Sequence, residues 1–220
     1  MNAADTSWML VSTALVLLMT PALAFFYGGL VRPKNALNTM MMSFISLGFV
    51  GVLWAVIGYS LSFAPGNNWI GDTSRFLLHG VGLEAQGTIP HLLFMCYQGT
   101  FCIITAALIS GAIVERMNFP AYIAFIAIWS VAVYTPVAHW VWGGGWLAGL
   151  HVMDYAGGLV VHATAGISSL WVPMISIPLP SLPRQMAGTL TLTASAALGC
   201  TLRSKLSLIV CWASCSPCWL

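Results

Sequence analysis

Charge is scarce in this chain: of 220 residues only 5% are Asp, Glu, Lys or Arg, with Lys+Arg 7 against Asp+Glu 5. An ordinary soluble domain carries about 25%, so a water-facing surface cannot be built from this inventory and the exterior must face lipid. Disorder is excluded by the same shortage, because a disordered chain needs high charge and low hydrophobicity. The net charge of +2 is too small to suggest nucleic acid. Cysteine is sparse as well. Cys96 and Cys102 fall in an apolar run and read as packing residues, while Cys200, Cys211, Cys215 and Cys218 crowd near the end. The Cys215/Cys218 spacing lacks a second ligand pair or a nearby His, so neither a metal site nor a cofactor is expected. What is abundant is apolar sequence, at 59%.

A bilayer core about 30 Å thick takes about 20 apolar residues as helix. Uncharged stretches of that length recur at 6–31, 36–64, 87–114 and 117–153, and a fifth follows Asp154. The pattern predicts helices over 8–30, 40–63, 91–114, 120–141 and 155–172, the last ended by Pro173, Pro178, Pro180 and Pro183. Arg32 and Lys34 follow the first helix and Arg116 follows the third. The positive-inside rule makes those loops cytoplasmic and puts the N-terminus outside. Met1 to Thr6 hold Asp5 and no Lys or Arg, so a basic signal leader is not expected and the first helix stays in the mature chain. The long connection 65–90 then lies outside. Trp8, Trp69, Trp140, Trp142 and Trp146 gather near outer ends, as an aromatic belt does.

Polar and aromatic groups inside the spans are the functional candidates. Tyr97 and Phe101 sit one turn apart on the third helix, so their rings stack along one face; ordinary aromatic packing is the plain alternative. Trp142 stands directly before Gly143, Gly144 and Gly145. Irregular backbone at such depth is tolerated only where it is buried in protein or lines a wet cavity. Trp142 can therefore offer a ring face to a cation, worth about 0.5–2 kcal/mol, with interfacial anchoring as the alternative. Trp140 and Trp146 read as anchors only. Asp154 opens the fifth helix, where a carboxylate caps free amides and meets the positive end of the dipole; its role is support of the site. His162 falls about 12 Å deeper, near the bilayer midplane. A hydrogen-bonded core histidine is one reading. The small residues Gly157, Gly158, Ala163, Ala165 and Gly166 around it favour a path-lining imidazole that can accept, donate or carry a proton.

Three stretches then carry a resemblance to a known family. They are Ala24-Phe-Phe-Tyr-Gly-Gly-Leu-Val-Arg-Pro-Lys-Asn35; Tyr97-Gln-Gly-Thr-Phe101 with Gly111-Ala-Ile-Val-Glu-Arg116; and His139-Trp-Val-Trp-Gly-Gly-Gly145 with Asp154-Tyr-Ala-Gly-Gly-Leu-Val-Val-His162. The chain resembles the ammonium transporters (Amt, with their Mep and Rhesus relatives) over residues 1 to about 170. The resemblance implies an all-α polytopic membrane protein, the first five-helix half of an eleven-helix fold built from two inverted halves. It further implies a homotrimer in the cell membrane with one pore per subunit. Ammonium would be recruited as a cation and cross largely as ammonia, with the proton handled separately. By resemblance Trp142 and Phe101 match the outer recruitment site and Tyr97 its neighbour. Phe101 also matches one of two stacked gates, His162 the first of twin pore histidines, and Asp154 the supporting aspartate. The implied partners are ammonium or ammonia, the bilayer, and a PII-type signal protein that contacts cytoplasmic loops and a C-terminal tail.

Residues 171–220 read differently. The run Trp171-Val-Pro-Met-Ile-Ser-Ile-Pro-Leu-Pro-Ser-Leu-Pro183 replaces an expected helix and basic loop, and no acidic residue occurs after Asp154. The second gating Phe, the recruitment Ser and the second pore His of the family are not found. The expectation is a divergent, frameshifted or aberrant tail on a half-transporter. A non-conducting fragment and an ammonium sensor stand as alternatives. An intramembrane enzyme using Asp154, His139 and His162 is not expected, because the helices hold no paired nucleophile and no second carboxylate.

Overall fold

The structure, a computed structural model, describes residues 1–176. Helix α1 (Ala3–Leu30) is followed by α2 (Pro33–Phe63), α3 (His91–Ile113), α4 (119–141) and α5 (158–176). Four helical segments among the described residues are long and apolar enough to cross a membrane: Ala3–Leu30, Pro33–Phe63, His91–Ile113 and Phe119–Gly149.

Several boundaries differ from the apolar pattern, each for a local reason. Helix α1 begins before residue 8 because the Asn2 side chain accepts from the Ala4 amide at 3.0 Å and Asp5 lies in the first turn, where an acceptor and a negative charge satisfy free amides. Helix α2 starts at Pro33 rather than 40. Proline at the first helical position lacks an amide that would be unsatisfied there anyway, so the polar Lys34 and Asn35 become helical. Helix α5, expected to stop before Pro173, runs to Ser176; a proline weakens an interior turn without forbidding continuation. Cys102 is buried as a packing residue should be, whereas Cys96 is exposed, on the outside of the bundle. Wide π-helical turns interrupt α2 at Trp54–Gly58 and α4 at Ser130–Tyr134, and one opens α5 at Gly158–Ala163.

Helix α3 is the centre of the bundle. Its most apolar window is 72% buried, against 28% for α1 and for α2, so α1 and α2 keep most of their surface for lipid or further protein. Close approach is made possible by glycine notches. A Cβ on Gly111 would lie 2.6 Å from the Tyr27 ring, and one on Gly99 would lie 2.8 Å from the Trp54 indole. Each aromatic ring fills its notch and reaches a backbone oxygen beyond it: the Tyr27 hydroxyl donates to Leu108 O at 3.2 Å and the Trp54 indole N–H to Met95 O at 3.2 Å. Between α2 and α3 the buried Ser43 and Ser110 hydroxyls pair at 3.0 Å. Without a hydrophobic drive between helices in lipid, small-residue contact and such hydrogen bonds are what hold the helices together. At the basic end, Glu115 accepts from the Asn35 side chain at 2.6 Å and lies 3.7 Å from Arg32.

The opposite end carries Trp142 and the connection 64–90, and is called outer below after the charge rule. The connection is tied down by a two-residue hairpin, Ala85–Gln86 against Ile89–Pro90, and by an isolated bridge between Gly66 and Gly71. The Asn67 side chain caps the turn inside that bridge, accepting from the Trp69 and Ile70 amides at 2.8 Å each. This turn docks on the end of α4, where the Trp140 indole donates to Trp69 O at 2.7 Å. Gly143 sits in the contact, and a Cβ there would run into the Ser62 carbonyl oxygen. Gly143→Ala is therefore expected to destabilise by about 1–3 kcal/mol, read as a fall of several degrees in the unfolding midpoint in detergent. Gly149→Ala, with open space at its Cβ position, should leave the midpoint unchanged.

Candidate functional site

The site is assembled where the connection between α4 and α5 folds back on α3. Helix α4 ends at Val141, and the Trp142 amide still donates to Ala138 O at 2.8 Å. The chain then turns through Gly143 to Gly145, with Gly144 at φ +85°, a conformation that glycine adopts at no steric cost. Trp142 is thus set at the rim of the bundle with its indole directed across the mouth toward α5. The tip of its ring lies 4.0 Å from the position a Cβ of Gly157 would take.

Asp154 organises the far side. Its carboxylate accepts from the Leu159 amide at 2.8 Å and from the Val160 amide at 3.3 Å. The carboxylate bypasses the short turn Tyr155–Gly157 and caps the first wide turn of α5. That reach depends on two consecutive left-handed residues, Ala156 at φ +52° and Gly157 at φ +69°; the alanine is the strained one. Burial pushes the Asp154 carboxyl above the usual carboxylate range. The amides of Leu159, Val160 and Gly158 and the indole N–H of Trp142 act against that rise by hydrogen bonding the charged form. The carboxylate therefore anchors the start of α5, with the Trp142 indole beside it.

Phe101 meets Trp142 edge-on, with ring centroids 6.0 Å apart at 67°. Tyr97 and Phe101 do share a face, but they meet edge to face rather than stacked, 5.0 Å apart at 86°. Tyr97 is fully buried at 0% exposure and Phe101 shows 7%. Tyr97 backs Phe101 from within a cluster that includes Met9, Val16, Leu93 and Val161. His162 follows Val161 in the wide turn of α5, half-buried, and among the described residues no hydrogen bond reaches its imidazole. Trp142, Phe101, Tyr97 and Asp154 are brought together at one end of the bundle, and His162 follows Val161, which packs in the Tyr97–Phe101 cluster.

The belt reading of the other tryptophans takes a specific form. Trp69, Trp140 and Trp146 cluster together, with centroids 5.9 to 6.1 Å apart, away from the Trp142 ring. Among the described residues, no group of three or more His, Cys, Asp or Glu is placed to hold a metal ion. One site residue escaped the sequence reading although it stands inside the Tyr97–Phe101 motif. Gln98 is 1% exposed, its amide nitrogen and oxygen have no partner among the described residues, and it lines a cavity of about 290 Å³ with Phe63, Phe94, Val141, Trp142 and His151. The available signal was its polarity within an apolar span.

Long apolar helices around a buried central one, with an aromatic and carboxylate cluster at one end, define a helical, multi-pass membrane protein. Comparison with known proteins makes the assignment particular: the ammonium transporter family model matches residues 7–202, and the chain belongs to that family. The match runs past the boundary near residue 170, into the segment expected to diverge. An ammonium transporter of Bacillus subtilis (strain 168) is 49% identical over 178 residues, which are 80% of this chain and 44% of that relative. The crystal structure of Saccharomyces cerevisiae Mep2 is similar with a TM-score of 0.74 at 32% identity, covering 89% of this chain and 47% of that one. A protein described as a sensor Amt protein shares the fold, with a TM-score of 0.74 at 22% identity over 93% of this chain and 56% of that one. The chain thus spans under half the length of the Bacillus relative. The tail cysteines and most of the 171–220 segment lie outside the described residues.

The capping role of Asp154 is open to direct measurement. Asp154→Ala leaves the Leu159 and Val160 amides without an acceptor, which should speed their hydrogen exchange by about tenfold or more, given about 1–3 kcal/mol for an unsatisfied buried donor. Exchange at the α3 amides should stay as it is.

Proposed function

We propose that this chain supplies one wall of an ammonium-conducting pore in the cell membrane. The observation that carries the reading is the Trp142 indole set edge-on against Phe101, with the buried Asp154 carboxylate beside it. An indole face fixed at a partly wet mouth attracts a small cation, and a buried carboxylate close behind it adds long-range attraction without reaching the cation. Phe101 then forms the constriction, with Tyr97 as the ring that keeps it in place. A cation cannot pass an apolar ring unhydrated at low cost, whereas neutral ammonia can. His162, on the helix that Asp154 caps, gives the neutral species a hydrogen-bonding partner and a place for proton handling.

The opposite wall is not among the described helices, and the exposed faces of α1 and α2 are where further protein or lipid sits. Assembly as a homotrimer and control by a PII-type signal protein follow from family membership as part of the same proposal. The family match and the curated relative named an ammonium transporter support the substrate.

Two substitutions test the reading in a transporter in which these helices are joined to the remaining half of the fold. His162→Ala should lower methylammonium uptake by about tenfold or more, as expected for loss of one good hydrogen bond in transit; unchanged uptake would remove His162 from the path. Trp142→Leu should raise the half-saturating methylammonium concentration by about 3- to 30-fold while leaving the rate at saturation nearly intact. Equal loss at low and high concentration would count against a recruitment role.

A further inference from the structure

His139 stands on the last turn of α4 and is 2% exposed. Its Nδ1 lies 2.9 Å from the Ser62 carbonyl oxygen, and its Nε2 lies 2.8 Å from the Asn67 carbonyl oxygen. A carbonyl oxygen can only accept, and a neutral imidazole has one N–H and one bare lone pair. The N–H nitrogen of the ring donates to one of these carbonyls and the other nitrogen lies against the second, so both ring nitrogens are covered by backbone oxygens. So covered, the ring offers neither nitrogen to a metal or to a passing solute.

The backbone of the same residue holds the other half of the arrangement. The His139 carbonyl oxygen accepts from the Gly143 amide at 3.1 Å and from the Gly145 amide at 3.0 Å, which fixes the glycine turn that begins at Trp142. The docked turn adds two further carbonyls in register: Asn68 O accepts from the Trp146 amide at 3.2 Å, and Trp69 O accepts from the Trp140 indole at 2.7 Å. The fit is close, since a Cβ on Gly143 would lie 2.8 Å from His139 Nδ1.

We propose that His139 is the positioning residue for Trp142: its ring bridges the Ser62 and Asn67 carbonyls at the end of α4 and so fixes the turn on which the indole stands. The proposal rests on the reading of Trp142 as a cation-facing ring, and the test separates the two. The full chain in bilayers carries ¹⁵N-histidine and 5-fluorotryptophan, with the His139 and Trp142 signals assigned from His139→Phe and Trp142→Phe spectra. The His139 ring nitrogens should keep their ¹⁵N shifts when methylammonium is added, and shifts that move with it would overturn the clamp.

The Trp142 fluorine line should be single and should move on titration with methylammonium. In His139→Phe that line should broaden or split, and the titration midpoint should rise by about tenfold, the scale of losing one hydrogen bond. His139→Gln, which can keep one of the two carbonyls, should give an intermediate midpoint and guards against a variant that does not fold. A Trp142 line and midpoint unchanged in both variants would overturn the proposal. A wild-type line that ignores methylammonium would count against recruitment at Trp142, and the clamp would then stand or fall on the ¹⁵N spectrum and the line shape.

Discussion

The buried carboxylate of Asp154 is the interaction on which the mouth of this bundle depends. A charge in that position is costly unless its lone pairs are met. Here they are met by the free amides at the start of α5, beside the Trp142 indole. The arrangement explains why the chain accepts a left-handed alanine at 156 and a left-handed glycine at 157: both bend the backbone so that the first wide turn of α5 comes down onto the carboxylate. The helix that carries His162 therefore starts beside the Trp142 ring.

A second constraint is closeness of backbone. Gly111 under Tyr27, Gly99 under Trp54 and Gly143 against Ser62 O each remove a Cβ where another group must pass. In lipid, where burial of apolar side chains offers little drive for association, contact of this kind and the hydrogen bonds it permits decide how helices meet. The same logic governs the outer loop. A turn with three consecutive carbonyls directed at α4 would be costly if those oxygens were left unmet. The His139 imidazole, the Trp146 amide and the Trp140 indole meet them.

Much of this was legible in the sequence. The near absence of charge fixed the solvent, run length located the spans, and Arg32, Lys34 and Arg116 set the expected orientation. The triple glycine after Trp142 marked irregular backbone at the rim, and the position of Asp154 marked a helix start. Other features were hidden for physical reasons. Apolar run length does not see a polar first turn, so the starts of α1 at Ala3 and α2 at Pro33 were missed. The wide turns in α2, α4 and α5 have no residue signature, because they arise from how neighbouring helices meet. Shared helical face told that Tyr97 and Phe101 touch but not that they do so edge-on, which depends on rotamers set by α1 and α5. The two carbonyls on His139 come from residues more than seventy positions away, beyond the reach of local spacing.

The central claim is that the indole of Trp142, beside Asp154, is where a small ammonium ion first rests. It is tested most directly by solid-state NMR distances from ¹³C-methylammonium to the labelled Trp142 indole in the bilayer-embedded protein. The account predicts a coupling that places the methyl carbon within about 6 Å of the ring centroid, the range of a cation–π contact, and its loss in Asp154→Ala. A bound methylammonium coupled only to the Trp69, Trp140 and Trp146 rings, or coupled to Trp142 regardless of Asp154, would contradict it.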